Sequence, residues 1–204
     1  MKSLLTIPLL TEQHAVVNTV DAFEIWLDRF AGKIPKTKKK IVLVCKDKQE
    51  QGLFTGSSRE KVDRILNAGK ADYVDVGLHT NTADITRLKK AMGKAKLILS
   101  FHDFHKTPTE KRLWEIVKKA KQKGADIVKI ATLVTKLEDN ERLIALALGL
   151  SEKRIPHIVI GMGELGVITR LFSQEMGNVL TFVAGEKNTA PGQLTLEQIK
   201  NLVW

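Results

Sequence analysis

Cysteine and aromatic residues are scarce in this chain: one cysteine, one tyrosine, three tryptophans and seven phenylalanines in 204 residues. A lone Cys45 excludes an internal disulfide and any zinc site built on cysteine ligands. Its place in the apolar run Ile41 to Lys46 marks it as a small core residue. Aromatic residues make up 5% of the chain and do not interleave with basic ones, so the stacking platform of single-strand nucleic-acid binders is missing. No zinc-finger or RNP-like signature occurs, and no Gly-x-Gly-x-x-Gly follows the first apolar run, which argues against a dinucleotide-binding sheet. No apolar stretch reaches the roughly 18 residues that span a bilayer. The start, Met1 to Pro8, reads as a strand and not as a signal peptide, so the expected location is the cytoplasm.

Negative charge is also in short supply: the net charge is +10 and the pI about 9.7, with a compact basic run from Lys36 to Lys40. Without stacking residues, nucleic-acid binding would rest on charge alone. The preferred reading is a lysine-rich solvated face whose field gathers a small anionic substrate.

What is present is 43% apolar and 27% charged residues, enough for a full core. Eight short apolar runs centre on residues 4–8, 22–27, 41–46, 72–77, 96–102, 126–131, 157–162 and 179–184. Helical spacing fills 58–69, 82–93, 108–123, 135–149, 164–176 and 194–204. The runs are continuously apolar, which implies burial on both faces, as in a parallel sheet wrapped by helices. Eight such units predict an α/β fold, a compact (β/α)8 TIM barrel, as one domain over residues 1–204. The stretch from Asp28 to Lys40, with Gly32 and Pro35, is too short for a full helix and predicts a shortened second β/α unit. Leu10 to Val20 reads equally as a short helix or a loop.

In such a barrel, function collects at the C-terminal strand ends. Lys129 stands inside the apolar run Ala125 to Thr132. A buried ammonium without a partner costs several kcal/mol, and a lowered pKa is the usual escape, leaving a neutral nucleophilic amine. The bland alternative is a lysine that snorkels to the sheet edge. His102 closes the fifth run; amine and imidazole together suggest Schiff-base chemistry on a carbonyl. Glu24, Asp28, Lys46, Glu50, Asp103, Met162, Arg170 and the loop 185–193 lie at other strand ends. Each has a duller reading: His102 as a satisfied core histidine, Arg170 as a surface helix residue, Glu24 and Asp28 as a solvated edge pair, Glu50 as plain loop, Asp103 as a turn cap. His14, His79, His105 and His157 show no ligand spacing, so neither metal nor other cofactor is expected.

Four ordered motifs, SFHDFHKTP from Ser100, ADIVKIA from Ala125, GMGELGVITR from Gly161 and TAPGQ from Thr189, resemble those of the type I 3-dehydroquinate dehydratases of the shikimate pathway. The likeness extends more weakly through Asp21 to Asp28 and Lys46 to Glu50. It implies a metal-free dehydration of 3-dehydroquinate to 3-dehydroshikimate. The lysine matching Lys129 forms the imine, the imidazole matching His102 moves the protons, and Asp103 orients it. Arg170 pairs with the substrate carboxylate, Thr189 and Gln193 belong to a lid, and Glu24, Lys46 and Glu50 hold the hydroxyl-bearing side. Met162 and Phe182 form apolar wall. The family's usual homodimer is implied as well.

Three positions depart from the family pattern: Trp26 and Lys46 stand where arginines are usual, and Gly77 where an acid is common. Three readings follow: the dehydratase, a Schiff-base lyase or aldolase acting on another oxo acid, and a catalytically lapsed barrel with a binding role.

Overall fold

The computed structural model describes residues 3–9, 19–30, 32–184, 190 and 192–203. The eight apolar runs form β1 (Leu4–Leu9), β2 (Ala22–Trp26), β3 (Lys40–Val44), β4 (Tyr73–Gly77), β5 (Lys96–Asp103), β6 (Ile127–Leu133), β7 (His157–Met162) and β8 (Leu180–Phe182). They make one parallel sheet in the order β7-β6-β5-β4-β3-β2-β1-β8, a nearly closed barrel. Helices α1 (Ser58–Ala68), α2 (Thr82–Ala91), α3 (Glu110–Gln122), α4 (Leu137–Glu152), α5 (Val167–Leu171) and α6 (Leu196–Val203) follow β3 to β8 in turn. Among the described residues no helix lies between β2 and β3, the shortened unit expected there. Nor is any of the described helices long and apolar enough to cross a membrane.

Strand alternation divides the apolar residues into two cores. Outward side chains such as Phe23, Leu43, Val76, Leu99 and Val128 pack beneath the helices, where α1 brings Val62 and Ile65 and α3 brings Leu113 and Ile116. Inward side chains Val42, Ile98, Ile127, Ile158 and Leu180 plug the barrel. Burial of both layers is why the strands read as continuous apolar runs. The charged residues sit above the plug, toward the C-terminal ends.

The barrel closes partly through a side chain. No β7–β8 ladder is found among the described residues, and the seam is bridged by Asn178 just before β8. Its Oδ1 accepts from the Val159 amide at 2.8 Å and its Nδ2 donates to the Val159 carbonyl at 3.1 Å, so the carboxamide stands in for a strand peptide group. The amide nitrogen also donates to Ser173 Oγ at 2.9 Å, and Val179 N donates to the His157 carbonyl at 2.9 Å.

One helix differs from its expected length. The spacing over 164–176 suggests three turns, whereas α5 spans only Val167–Leu171 after a 3-10 turn, Glu164–Gly166. Gly166 lies on the backbone of Gly161, where a Cβ would come within 2.5 Å of the Gly161 carbonyl carbon. Ser173, drawn toward Asn178 and Thr181, leaves the helix path to serve the seam.

Asn178→Ala removes both Asn178–Val159 bonds, keeps the Val179–His157 backbone bond, and leaves the Val159 peptide group unpaired in a buried setting. Denaturant unfolding is expected to show a loss of about 2–4 kcal/mol; a change within ~0.5 kcal/mol would mean the barrel does not need this bridge.

Candidate active site

Lys129 projects into the barrel from the middle of β6, where its register partner is Ser100; His102, two residues further along β5, lies one level higher on the same side. Both line a cavity of about 700 Å³, counting its open mouth, within the usual size of a small-molecule site. Glu24, Lys46, Glu50, Met162, Arg170, Phe182 and Gln193 line it too, so most of the expected site residues converge. Thr189 lies outside the described residues. Four cationic side chains, Arg29, Lys46, Lys129 and Arg170, face two carboxylates, Glu24 and Glu50, a balance suited to an anionic ligand.

The state of Lys129 corrects the expectation of a neutral amine. Its Nζ donates to Asp75 Oδ2 at 2.7 Å and lies 3.6 Å from Glu24 Oε1 and 4.3 Å from the centre of the Phe182 ring. Burial disfavours the charge, but Asp75 and Glu24 outweigh it and hold the lysine above its ordinary value. Asp75 is correspondingly held down by the lysine despite its own burial. The resting pair is therefore ammonium and carboxylate, and Lys129 does not snorkel: it is 4% exposed.

His102 is neutral. Burial and the neighbouring charges of Lys46 and Lys129 push the imidazole well below its usual range, the state a general base needs. Its ring stacks parallel to Phe104 at 5.7 Å, and its Nδ1 stands 3.7 Å from Glu50 Oε1. His102 Nδ1, Glu24 Oε1 and Asp75 Oδ1 are buried with no hydrogen-bond partner, a concentration of unused polar capacity around Lys129.

The expected orienting role of Asp103 is not realised. Its Oδ1 accepts from the amides of His105 and Lys106 at 3.0 and 3.1 Å, capping the turn after β5. Asp103 and His102 are successive strand residues and so point to opposite faces. Glu50, from a 3-10 turn Lys48–Glu50 after β3, is the carboxylate that reaches the imidazole. Asp28 is structural as well, accepting from the amides of Lys46 and Leu53, each at 3.1 Å.

Arg170 is 4% exposed, and burial lowers its pKa to about 10, so it remains a cation at neutral pH. Lys46 is lowered as well, chiefly by burial. Its Nζ lies 3.7 Å above the centre of the Trp26 ring, and the indole N–H donates to Glu24 Oε2 at 2.7 Å. Trp26 thus faces the cavity, as its shared parity with Glu24 suggests, and occupies one side of it.

Asp75 and Lys61 escape the sequence reading. Asp75 carried a signal, a carboxylate inside the apolar run Tyr73 to Gly77. Lys61 carried another, a cation on the same helix face as the buried Ile65. Asp47, Glu50 and His79 also bring potential metal-ligand atoms within 4.8 Å of one another, but the Lys61 ammonium is already seated on both carboxylates, at 2.5 Å from Asp47 and 3.3 Å from Glu50.

Comparison with known proteins places the chain in a family. A family model for type I 3-dehydroquinase matches residues 7–203. The chain belongs to the type I 3-dehydroquinase family. It is 38% identical over 144 residues to a 3-dehydroquinate dehydratase of Alkaliphilus oremlandii, covering 69% of this chain and 56% of that protein. A second, from Methanobrevibacter smithii, is 35% identical over 164 residues, covering 80% and 70%. The 3-dehydroquinate dehydratase structure from Geobacillus kaustophilus superposes with a TM-score of 0.85 at 25% identity, covering all of this chain and 90% of that one.

Asp75→Asn leaves the Lys129 charge short of its nearest partner and is expected to cost about 3 kcal/mol at pH 7. Burial then dominates, so the folded-state lysine pKa falls below its unfolded value. The unfolded chain binds more protons in that interval, and stability recovers as pH rises toward 10. Urea unfolding at pH 7 and 9.5 measures this; a variant whose deficit is the same at both values speaks against a buried ammonium.

Proposed function

We propose that this protein is a hydro-lyase that converts 3-dehydroquinate to 3-dehydroshikimate, acting as one barrel domain through an imine on Lys129. The observation that carries the reading is a lysine in the barrel, ion-paired to Asp75, beside a neutral imidazole in a cavity that also holds a buried guanidinium. Family membership supports the substrate.

The substrate carboxylate pairs with Arg170, whose planar fork suits it, and the ring ketone comes to Lys129. The ammonium first gives up its proton, for which the carboxylates it rests on are at hand, Asp75 Oδ2 at 2.7 Å and Glu24 Oε1 at 3.6 Å. The amine then adds to the carbonyl carbon, and loss of the carbonyl oxygen as water leaves an iminium. Electron withdrawal by that iminium acidifies the adjacent C2 proton, which neutral His102 removes; the C1 hydroxyl departs as water with a proton returned by the imidazolium. Water then cleaves the imine, releasing the enone and restoring the lysine. The net change is loss of one water. Glu50, beside the imidazole, stabilises its transient charge, and Met162 and Phe182 supply apolar wall. Gln193 and Thr189 are assigned to the lid over the carboxylate end, which keeps water from the iminium. Lys46 and Glu24 are assigned to the hydroxyl-bearing side. The chemistry needs no metal or other cofactor.

A second reading is favoured by Trp26. An indole where the family has a guanidinium removes a charge-assisted contact to ring hydroxyls and takes up space, with Lys46 committed to its face. The same imine chemistry would then serve another oxo acid. Five exposed large apolar residues on or beside α4 and α5, Leu137, Leu148, Leu165, Ile168 and Phe172, support assignment of a homodimer. We place the protein in the cytoplasm.

Incubation with 3-dehydroquinate and borohydride, followed by peptide mapping, is expected to leave a reduced adduct on Lys129; its absence, with adducts from other oxo acids, would favour the second reading. Lys129→Met should lower kcat roughly 10⁴-fold or more, and His102→Ala about 10²–10⁴-fold. In sedimentation, Phe172→Glu should shift the protein toward monomer.

A further inference from the structure

Lys61 lies outside the barrel, in the first turn of α1, yet it is 2% exposed. A cation there opposes the helix dipole and is stripped of water, so its partners must account for its placement. Those partners are Asp47, at 2.5 Å, and Glu50, at 3.3 Å. Asp47 also meets His79 Nε2 at 2.7 Å. The start of α1 is fixed by a capping box in which Ser57 and Glu60 bond each other's backbone amides, and this sets the height of Lys61 against the barrel. Gly77 makes room for the assembly: a Cβ there would meet the His79 ring at 2.3 Å and the Glu50 carboxyl carbon at 3.1 Å.

Glu50 is the link to the catalytic cavity. One of its oxygens lies 3.7 Å from His102 Nδ1 and 3.4 Å from Ser100 Oγ, while the other accepts from Lys61. We propose that Lys61 is a positioning residue for proton transfer, clamping the Glu50 carboxylate from outside the barrel so that its other oxygen stays beside His102 and Ser100. Asp47 and His79 set how firmly the clamp holds, by competing for the ammonium and its partner. The assignment rests on the imine reading for its catalytic consequence, not for the clamp itself.

The surroundings of Glu50 define the test. Lys61 faces it from α1, Asp75 from β4, Asp47 from its own turn, Lys46 from the end of β3, and Ser100 and His102 from β5. Burial raises the carboxyl, Asp75 and Asp47 raise it further, and Lys61 and Lys46 lower it. Loss of the Lys61 charge therefore moves Glu50 up, and loss of the Asp47 charge moves it down.

The experiment follows the Glu50 carboxyl by ¹³C NMR in ligand-free protein, wild type against Lys61→Met and Asp47→Asn. The expected result is a midpoint about one pH unit higher in the first variant and lower in the second. The acid limb of the kcat/KM profile should move the same two ways, with Lys61→Arg restoring much of the wild-type profile. A merely structural lysine would lower stability in both variants without displacing the midpoint in opposite directions. An unmoved Glu50 midpoint overturns the assignment even if a Lys129 adduct forms. Opposite shifts without any adduct uphold the clamp and overturn the dehydratase reading instead.

Discussion

The ion pair between Lys129 and Asp75 sets the terms for the inside of this barrel. A lone charge at that depth would be discharged or expelled, and two charges persist only where their remaining valences are met. Each member therefore recruits another: Glu24 approaches Lys129, Trp26 donates to Glu24, and Lys46 lies on the Trp26 ring. A second string, His79, Asp47, Lys61 and Glu50, reaches in from outside and ends at His102. The apolar plug of Val42, Ile98, Ile127, Ile158 and Leu180 floors the assembly and keeps its dielectric low, which is what gives these pairs their strength.

This arrangement explains an inversion between expectation and structure. Burial alone argues for a neutral lysine, and the residues near Lys129 in sequence, Val128 and Ile130, offer it nothing. The counter-charge comes from Asp75, 54 positions away, brought near by a sheet in which one strand separates the two. In the proposed reaction the ammonium is the stored form, and the nucleophile would arise when a carbonyl and an anion displace that balance. His102 shows the complementary case, since the cations that crowd it keep it ready to accept a proton.

Much of the architecture was legible because its cause is local. Continuous apolar runs signal strands covered on both faces, and their regular alternation with amphipathic segments leaves few folds to choose from. Lys129, His102, Arg170 and Glu24 were legible for a related reason: each is polar in an apolar strand, or on the short helix that follows one, and barrel geometry turns it toward one mouth. Asp103 misled because a carboxylate next to a histidine invites pairing, whereas strand alternation sends the two to opposite faces. Lys61 was hidden because a lysine every few residues is ordinary in so basic a chain, and only packing shows which one is buried. The short α5 was hidden for a comparable reason, as Gly166 and Ser173 answer to β7 and to the seam and not to their own helix.

Trp26 shows what such coupling does to substitution at a binding wall. An indole cannot deliver two parallel hydrogen bonds as a guanidinium can, but it satisfies one oxygen of Glu24 and offers its face to Lys46, so the buried charges are paired. The pocket's charges are thus held in order with an indole as one of its donors. In the proposed reaction, imine formation would depend on that charge order and hydroxyl recognition on the donors. The two sides of the cavity are built from separate elements: β5, β6 and α5 carry His102, Lys129 and Arg170, and β2 with the turn after β3 carries Trp26 and Lys46.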